Sequence, residues 1–339
     1  MKEDIQQQLR PVAPDERVAV TITTKNRPTY LAALLTSLSQ QTYTNWQLVI
    51  NDQSDMPVNE NDTNKDLLTL IEAQGHGIQI IQTKNPCDRY QRVLEAVPAG
   101  IEFVHRIDDD VVLSPTYLEK ILRPFVYFAD RPLAAVGGCL PGPHMRPLSL
   151  GKALAQPGWF PRIDKPTWQL QGHGYEEHEI VEMESLWGCA MLYRRSAVMA
   201  VGGWTVPGQS QQIFREDSDM SARLVVAGYE LMMTTEALGW HLVAPSGGAR
   251  EVRKTTQGNV YASHREEYDA DDRLFRERIE QFLSTGYRRE TFLRYRIADL
   301  EQQRQQPRPL VNRLDKVYEV IVAALSPFVR RTLRRLVGR

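Results

Sequence analysis

The sequence predicts an α/β chain built on a mostly parallel sheet with flanking helices, followed by a helical C-terminal extension. Short β-branched runs alternate with segments whose leucines recur at helical spacing. The β-branched runs end in polar loops from which the helices start. With 339 residues and 42% apolar content, the chain can also bury a large core, as one domain or as one domain plus an appendage.

The elements follow in order. Residues 17–23, Arg-Val-Ala-Val-Thr-Ile-Thr, read as a short buried strand. Thr24 to Pro28 is a polar loop, with Pro28 suited to the first turn of a helix. Leu31, Leu34, Leu35 and Leu38 carry that helix to about Gln40. A second strand runs from Trp46 to Ile50 and ends in Asn51-Asp52-Gln53-Ser54. Strand, loop, helix, strand is a βαβ unit with a right-handed crossover, and ligands of such sheets bind beyond the carboxyl ends of the strands. A helix within 59–74, a strand at Ile78–Ile81 and a helix at Arg89–Val97 come next.

The apolar run Ile101, Phe103, Val104, Ile107 leads into Asp108-Asp109-Asp110. Three adjacent carboxylates cannot all be buried uncompensated, because an unpaired buried charge costs several kcal/mol or neutralises. The exposed C-terminal end of a buried strand, with a cation nearby, resolves the conflict. On an extended backbone Asp108 and Asp110 point to the same side and present hard oxygen ligands suited to Mg²⁺ or Mn²⁺. An acidic turn after an edge strand is the alternative.

Ser114-Pro115 reads as a helix start, with Tyr117, Leu118, Ile121, Leu122 and Phe125 on its apolar face. Leu133–Cys139 suggests a strand. Residues 140–182 show no clear period, and a loop that long is usually functional or mobile. Leu186–Tyr193 reads as a strand, Ser196–Ala200 as a short helix ended by Gly202-Gly203, and Arg215 to Asp219 as the opening of a helix stopped at Gly228. Glu230–Thr234 reads as a strand, and Trp240-His241 follow it.

Net charge is −1, so no global field for nucleic acid exists, and no nucleic-acid partner is expected. Cys87, Cys139 and Cys189 form no CxxC and read as reduced thiols of a cytoplasmic protein. Met1 to Arg17 is polar and acid-bearing, unlike a signal peptide, and no apolar run of about 18 residues appears. From Gln303 to Arg339, nine Lys/Arg stand against two acids, a local +7.

The motif order resembles the family-2 glycosyltransferases, which share a Rossmann-like nucleotide-diphospho-sugar transferase fold of the A type. The resemblance rests on the Val18–Thr23 strand with Asn26-Arg27-Pro28; on Ile50-Asn51-Asp52-Gln53-Ser54, where the family has two Asp, Gly and Ser; and on Asp108-Asp109-Asp110. It continues with Gly188…Arg194-Arg195…Gly202-Gly203-Trp204 and with Glu216-Asp217-Ser218-Asp219…Arg223-Leu224…Gly228-Tyr229. It covers roughly residues 16–245, the expected catalytic domain. Residues 1–15 are then a flexible segment, 246–302 a helical extension and 303–339 a basic amphipathic tail.

The resemblance implies an inverting transfer of a sugar from a nucleoside diphosphate donor, with Mn²⁺ or Mg²⁺ as cofactor, to a glycan or lipid-linked acceptor in polysaccharide biosynthesis. A cation held by carboxylates would neutralise charge developing on the leaving diphosphate. The family's Asp-x-Asp maps onto the triplet, with Asp110 as metal ligand, Asp108 facing metal or ribose, and Asp109 beside the nucleotide. His241 stands where some members have a third ligand; an ordinary hydrogen-bonded histidine is the other reading. Asp217, paired with Glu216, is the expected general base, although acids in a first helical turn also complement the helix dipole.

Asp52 resembles the base-reading carboxylate that accepts from uracil N3–H, which favours UDP. Arg89 is a partner for base or phosphate, with Arg92 its rival, and Thr23 and Arg27 line the same pocket. Trp187 and Gly188 are expected at the acceptor, with a core role open for the tryptophan. Trp159, Trp168 and Tyr175 are expected to cover the donor or shape the acceptor cleft.

In the tail, Leu310, Leu314, Val317, Ile321, Leu325 and Phe328 recur at helical spacing and arginines follow. A basic amphipathic helix over 310–339 could lie on the inner face of an anionic membrane. Packing on the catalytic domain, or on a second subunit in a homo-oligomer, is the alternative. The rival functions fit less well. A sugar nucleotidyltransferase carries a Gly-rich first loop, and Thr24 to Pro28 has no glycine. A haloacid-dehalogenase-like phosphatase has Asp-x-Asp at its first strand and followed by Thr; here Val111 follows. A non-catalytic glycan-binding protein on the same fold needs no such set of acids.

Overall fold

The computed structural model describes residues 13, 15–83, 88–140, 162–164, 169–171, 178–204, 215–245, 247–248, 265–283 and 294–305. The chain divides into two compact units, residues 1–296 and 297–339. Of the second, helix α8 (Ile297–Gln305) is described.

The first unit opens with β1 (Val18–Thr24), α1 (Pro28–Ser39), β2 (Trp46–Asp52), α2 (Asp62–Ala73) and β3 (Ile78–Ile81). It continues through α3 (Arg89–Ala96), β4 (Phe103–Asp108), β5 (Val111–Leu113), α4 (Tyr117–Tyr127) and β6 (Leu133–Cys139). Short strands β7 (Arg162–Asp164) and β8 (Gln169–Gln171) pair with each other. Then come β9 (Glu179–Met183), β10 (Ala190–Arg194), α5 (Arg195–Ala200), α6 (Glu216–Val226), β11 (Glu230–His241), α7 (Arg265–Leu283) and β12 (Arg294–Arg296).

Among the described residues one ten-stranded sheet runs in the order β12-β9-β11-β6-β10-β4-β1-β2-β3, with β5 added against β11. The β1–β2, β1–β4, β2–β3 and β6–β11 pairs are parallel, and β10 lies antiparallel between β4 and β6. Strand neighbours point to opposite faces, and both faces of this sheet are covered. On one, Ala19, Val49, Val104, Met191 and Tyr193 share a cluster with Val93 and Leu94 of α3, Val198 of α5, and Met220 and Leu224 of α6. On the other, Phe103 meets Phe125 of α4 with ring centroids 4.9 Å apart, and His105 meets Tyr117. Double coverage explains why β1 and β2 read as near-continuous apolar runs.

The predicted elements lie close to observed ones, and the boundaries differ where a side chain distant in sequence intervenes. Helix α4 starts at Tyr117 rather than at Pro115. Its cap comes from outside the segment: Gln41 accepts from Leu118 N–H at 3.0 Å and donates to Ser114 O at 2.8 Å. Strand β10 starts at Ala190 rather than Leu186, because helix α6 takes the preceding amides. Leu186 N–H donates to Ser221 Oγ at 3.0 Å, and Gly188 N–H to Asp217 Oδ2 at 3.0 Å. Strand β11 extends to His241, so Trp240 and His241 lie inside a strand rather than after one. A register irregularity between Met233 and Leu238 interrupts its pairing with β6, which resumes at Leu238 beside Cys139, and from Gly239 the strand pairs with β5. Strand β9, inside the stretch 140–182 that shows no period, is buried between β11 and β12.

No helix among the described residues is long and apolar enough to cross a membrane. The expected amphipathic stretch 310–339 and Trp159, Trp168 and Tyr175 lie outside the described residues.

Candidate active site

The strand ends bring the predicted residues to one edge. In register, Thr24 of β1 stands beside Asp52 of β2, and Thr23 beside Asp108 of β4. After Asp108 the chain turns through Asp109 and Asp110 before β5 begins. The convergence of Asp108 and Asp110 therefore comes from a turn, not from the alternation of an extended strand.

His241 completes the group. Strand β5 pairs antiparallel with β11, with His241 opposite Val111, so the imidazole lands next to Asp110. His241 Nε2 lies 3.1 Å from Asp110 Oδ1. Asp110 Oδ2 accepts from Ala244 N–H at 2.7 Å, and Asp110 O from Leu242 N–H at 2.8 Å. Between those two amides Val243 has φ +53°, an unusual value for a β-branched residue. Against burial, the His241 hydrogen bond and charge and the Ala244 amide hold the Asp110 carboxyl down at about 2. Against burial, the hydrogen bond to Asp110 raises the His241 imidazole to about 11. Ligand atoms of Asp108, Asp110 and His241 all lie within 4.8 Å of one another. Two carboxylate oxygens and an imidazole nitrogen form a donor set that fits Mn²⁺ or Mg²⁺.

Asp109 faces the first loop. Its Oδ2 accepts from Thr24 Oγ1 at 2.7 Å and its Oδ1 from Arg27 Nη1 at 2.8 Å. Burial nevertheless pushes its carboxyl up to about 6, against Arg27 and Thr24. Arg27 also donates to Gly247 O at 2.9 Å, which ties the segment after β11 to the loop after β1. Gly247 has φ +75°, and a Cβ there would lie 2.5 Å from Arg27 Cγ.

The helix α6 acids approach the same edge. Asp217 Oδ1 accepts from Ser218 N–H at 2.6 Å, while its Oδ2 holds the Gly188 amide. Glu216 Oε1 accepts from Arg106 Nη2 at 2.8 Å. Burial and the charge of Asp217 push the Glu216 carboxyl up to about 7, with Arg106 opposing. Arg106 is a site residue that motif reading passes over. It lies two positions before Asp108 on β4, hence on the same side of the strand, but its partners sit on distant elements. Tyr90 and Trp204 share its surroundings.

Asp52 is buried, and its carboxylate braces its own loop: Oδ1 accepts from Ser54 N–H at 2.9 Å and Oδ2 from Val58 N–H at 2.7 Å. The neighbouring Asn51 and Gln53 both donate to Thr83 Oγ1, at 3.0 and 2.8 Å. The two residues that depart from the family pattern thus bridge β2 to the chain after β3. Arg89 is buried, with its guanidinium 4.9 Å from the Tyr90 ring centroid. Arg92 is 59% exposed on the outside of α3, paired with Glu95. Trp187 is half-buried beside Gly188.

Residues 14–260 match the family described as "Glycosyltransferase like family 2". No curated protein matches the sequence significantly. Among solved structures, GalNAc-T7 with UDP, GalNAc and Mn²⁺ aligns with TM-score 0.53 and 12% identity over 79% of this chain and 56% of that one. The mannosyltransferase PcManGT from Pyrobaculum calidifontis, in complex with GDP-Man and Mn²⁺, aligns with TM-score 0.47 and 14% identity over 97% and 88%. TarS of S. aureus aligns with TM-score 0.46 and 14% identity over 79% and 44%. The chain thus spans about half the length of TarS and of GalNAc-T7. At such identities the likeness concerns the fold, which is the A-type sugar-transferase arrangement.

Proposed function

Because this chain belongs to the family-2-like glycosyltransferases over residues 14–260, we propose that it is an inverting, metal-dependent enzyme moving a sugar from a nucleoside diphosphate, preferably UDP, to a hydroxyl of a glycan or lipid-linked acceptor. The observation that carries this reading is the convergence of Asp108, Asp110 and His241 at the strand edge that also receives Glu216. Asp108, Asp110 and His241 hold Mn²⁺ or Mg²⁺. When bound, that ion supplies positive charge to the leaving diphosphate.

Every other role belongs to the chain itself. Asp217, oriented by the Gly188 and Ser218 amides, takes the proton of the acceptor hydroxyl. Base and leaving group then act on opposite faces of the sugar, which inverts the anomeric centre. The nucleoside lies along the β1 and β2 ends, where Thr23, Arg27 and Arg89 line it. Asp52, already bracing the loop, accepts from a uracil N3–H. Asp109 keeps Arg27 in place beside the diphosphate. Trp187 and Gly188 border the acceptor, and residues 310–339 provide a peripheral contact with a membrane carrying the lipid-linked acceptor.

The decisive experiment is a panel of nucleotide sugars scored by thermal shift with and without Mn²⁺. A ligand that binds the folded state alone raises apparent stability by mass action. A UDP-sugar should give a shift that depends on Mn²⁺. Shifts that are the same with and without the metal would remove the metal-site reading, and a larger shift with a guanosine donor would remove the uridine preference.

A further inference from the structure

The residue that joins the two halves of the site is one that neither the metal nor the base assignment uses. Arg106 is 5% exposed. Its guanidinium carbon lies 3.8 Å from the Tyr90 ring centroid and 5.0 Å from that of Trp204. Of its nitrogens, Nη2 stands 2.8 Å from Glu216 Oε1 and 3.9 Å from Asp108 Oδ1. Nε and Nη1 are buried with no hydrogen-bond partner among the described residues. Leaving two guanidinium N–H groups unpaired costs stability. The aromatic faces offset that cost in part, since a ring quadrupole attracts a cation over its face.

The surroundings are shaped to admit this side chain. A Cβ on Gly188 would lie 2.6 Å from Arg106 Nη1, so a residue with a side chain there displaces the guanidinium. The same glycine donates its amide to Asp217. Trp204, which flanks the cation, is fixed by Gln91 Oε1 on its amide at 2.8 Å and by Tyr193 OH on its indole at 3.1 Å. The contacts close into a ring: Arg106 to Glu216, Glu216 to its neighbour Asp217, Asp217 to Gly188, and Gly188 packed back on Arg106.

We propose that Arg106 is a positioning residue that couples the metal-diphosphate carboxylate Asp108 to the catalytic helix, setting Asp217 through Glu216 and the Gly188 backbone. It touches neither substrate nor reacting atoms. Its part is to add a side-chain lock between the start of α6 and the end of β4, beside the backbone link that runs from Asp217 through Gly188 to the Cys189 carbonyl and Asp108 N–H. Glu216 is then the arm by which Arg106 grips the helix, and the base is the residue after it. The inference rests on the transfer reading above.

The test is Arg106→Gln, compared with Arg106→Lys and Gly188→Ala, each read by kcat and KM for transfer and by the Mn²⁺–nucleotide thermal shift. Misplacing a base by about 1 Å costs on the order of 100-fold. Arg106→Gln should lower kcat by that order while the nucleotide shift and donor KM stay within about twofold of wild type. Arg106→Lys should recover part of kcat, because a cation returns without the fork. Gly188→Ala, which pushes the guanidinium aside, should reproduce the kcat loss even if Arg106→Gln does not fold. Wild-type kcat in folded Arg106→Gln, or in Gly188→Ala where Arg106→Gln does not fold, overturns the proposal. So does a loss of the nucleotide shift in parallel with kcat, which would make Arg106 a donor-binding or merely structural residue. Absence of transfer by the wild-type protein under the same conditions would instead fault the reading of function.

Discussion

The imidazole Nε2 of His241 stands 3.1 Å from Asp110 Oδ1 across 131 positions of sequence. The following backbone then wraps the same residue, Leu242 N–H donating to the Asp110 carbonyl and Ala244 N–H to its carboxylate, at the cost of a left-handed Val243. Asp110→Ala should therefore do two things. It should abolish the Mn²⁺-dependent thermal shift, and it should lower stability by about 1–3 kcal/mol by orphaning the buried Ala244 N–H. Thermal shift with and without Mn²⁺, alongside urea unfolding, checks both; a wild-type metal response would refute the assignment.

Asp217→Asn keeps an oxygen for the Gly188 amide but loses basicity. Transfer should fall by roughly 10²–10⁴ while the Mn²⁺–nucleotide thermal shift persists. Loss of the shift would mean that Asp217 serves binding or folding instead.

His105 gives the fold an acid-side weakness. Burial holds its imidazole down to about 4 from 6.5, where it packs beside Tyr117. Between those values the unfolded chain binds more protons than the folded one, so stability rises with pH through the window and is lost as pH falls from 6.5 towards 4. The loss should be on the order of 3 kcal/mol. His105→Phe should flatten that part of the urea-unfolding profile, and an unchanged slope would show that other groups carry it.

Two glycines in the left-handed region separate conformational from steric cost. Gly75 has φ +92° and open space around a Cβ, whereas Gly247 has φ +75° and would set its Cβ 2.9 Å from Asn26 O as well as against Arg27. Gly75→Ala should cost about 1–2 kcal/mol of stability. Gly247→Ala should cost more and should also weaken Mn²⁺–nucleotide binding, because Arg27 is the partner of Asp109. Equal costs in chemical denaturation, with nucleotide binding intact, would argue against that coupling.

Much of the framework is legible because its causes are local. The leucines of α1, all buried, follow a 3.6-residue period, and Pro28 marks its first turn. The triplet Asp108–Asp110 stands out because three carboxylates after an apolar run need a strand end. Helix starts and strand limits are less legible where a distant side chain intervenes, as Gln41 does at α4 and Ser221 does at Leu186.

The sequence alone determined the class of sheet, the order of its N-terminal elements from β1 to β4 and the strand ends at which the carboxylates gather, since each follows from spacing within a few residues. The tertiary structure decided the company those carboxylates keep. It set His241 on Asp110 by pairing β5 with β11, and Thr24 and Arg27 on Asp109 by aligning β1 with β4. It also ran Arg106 to Glu216 over 110 positions. Such contacts arise from strand register and chain crossover, and a guanidinium on β4 carries no local pattern that names the helix whose acid it will meet.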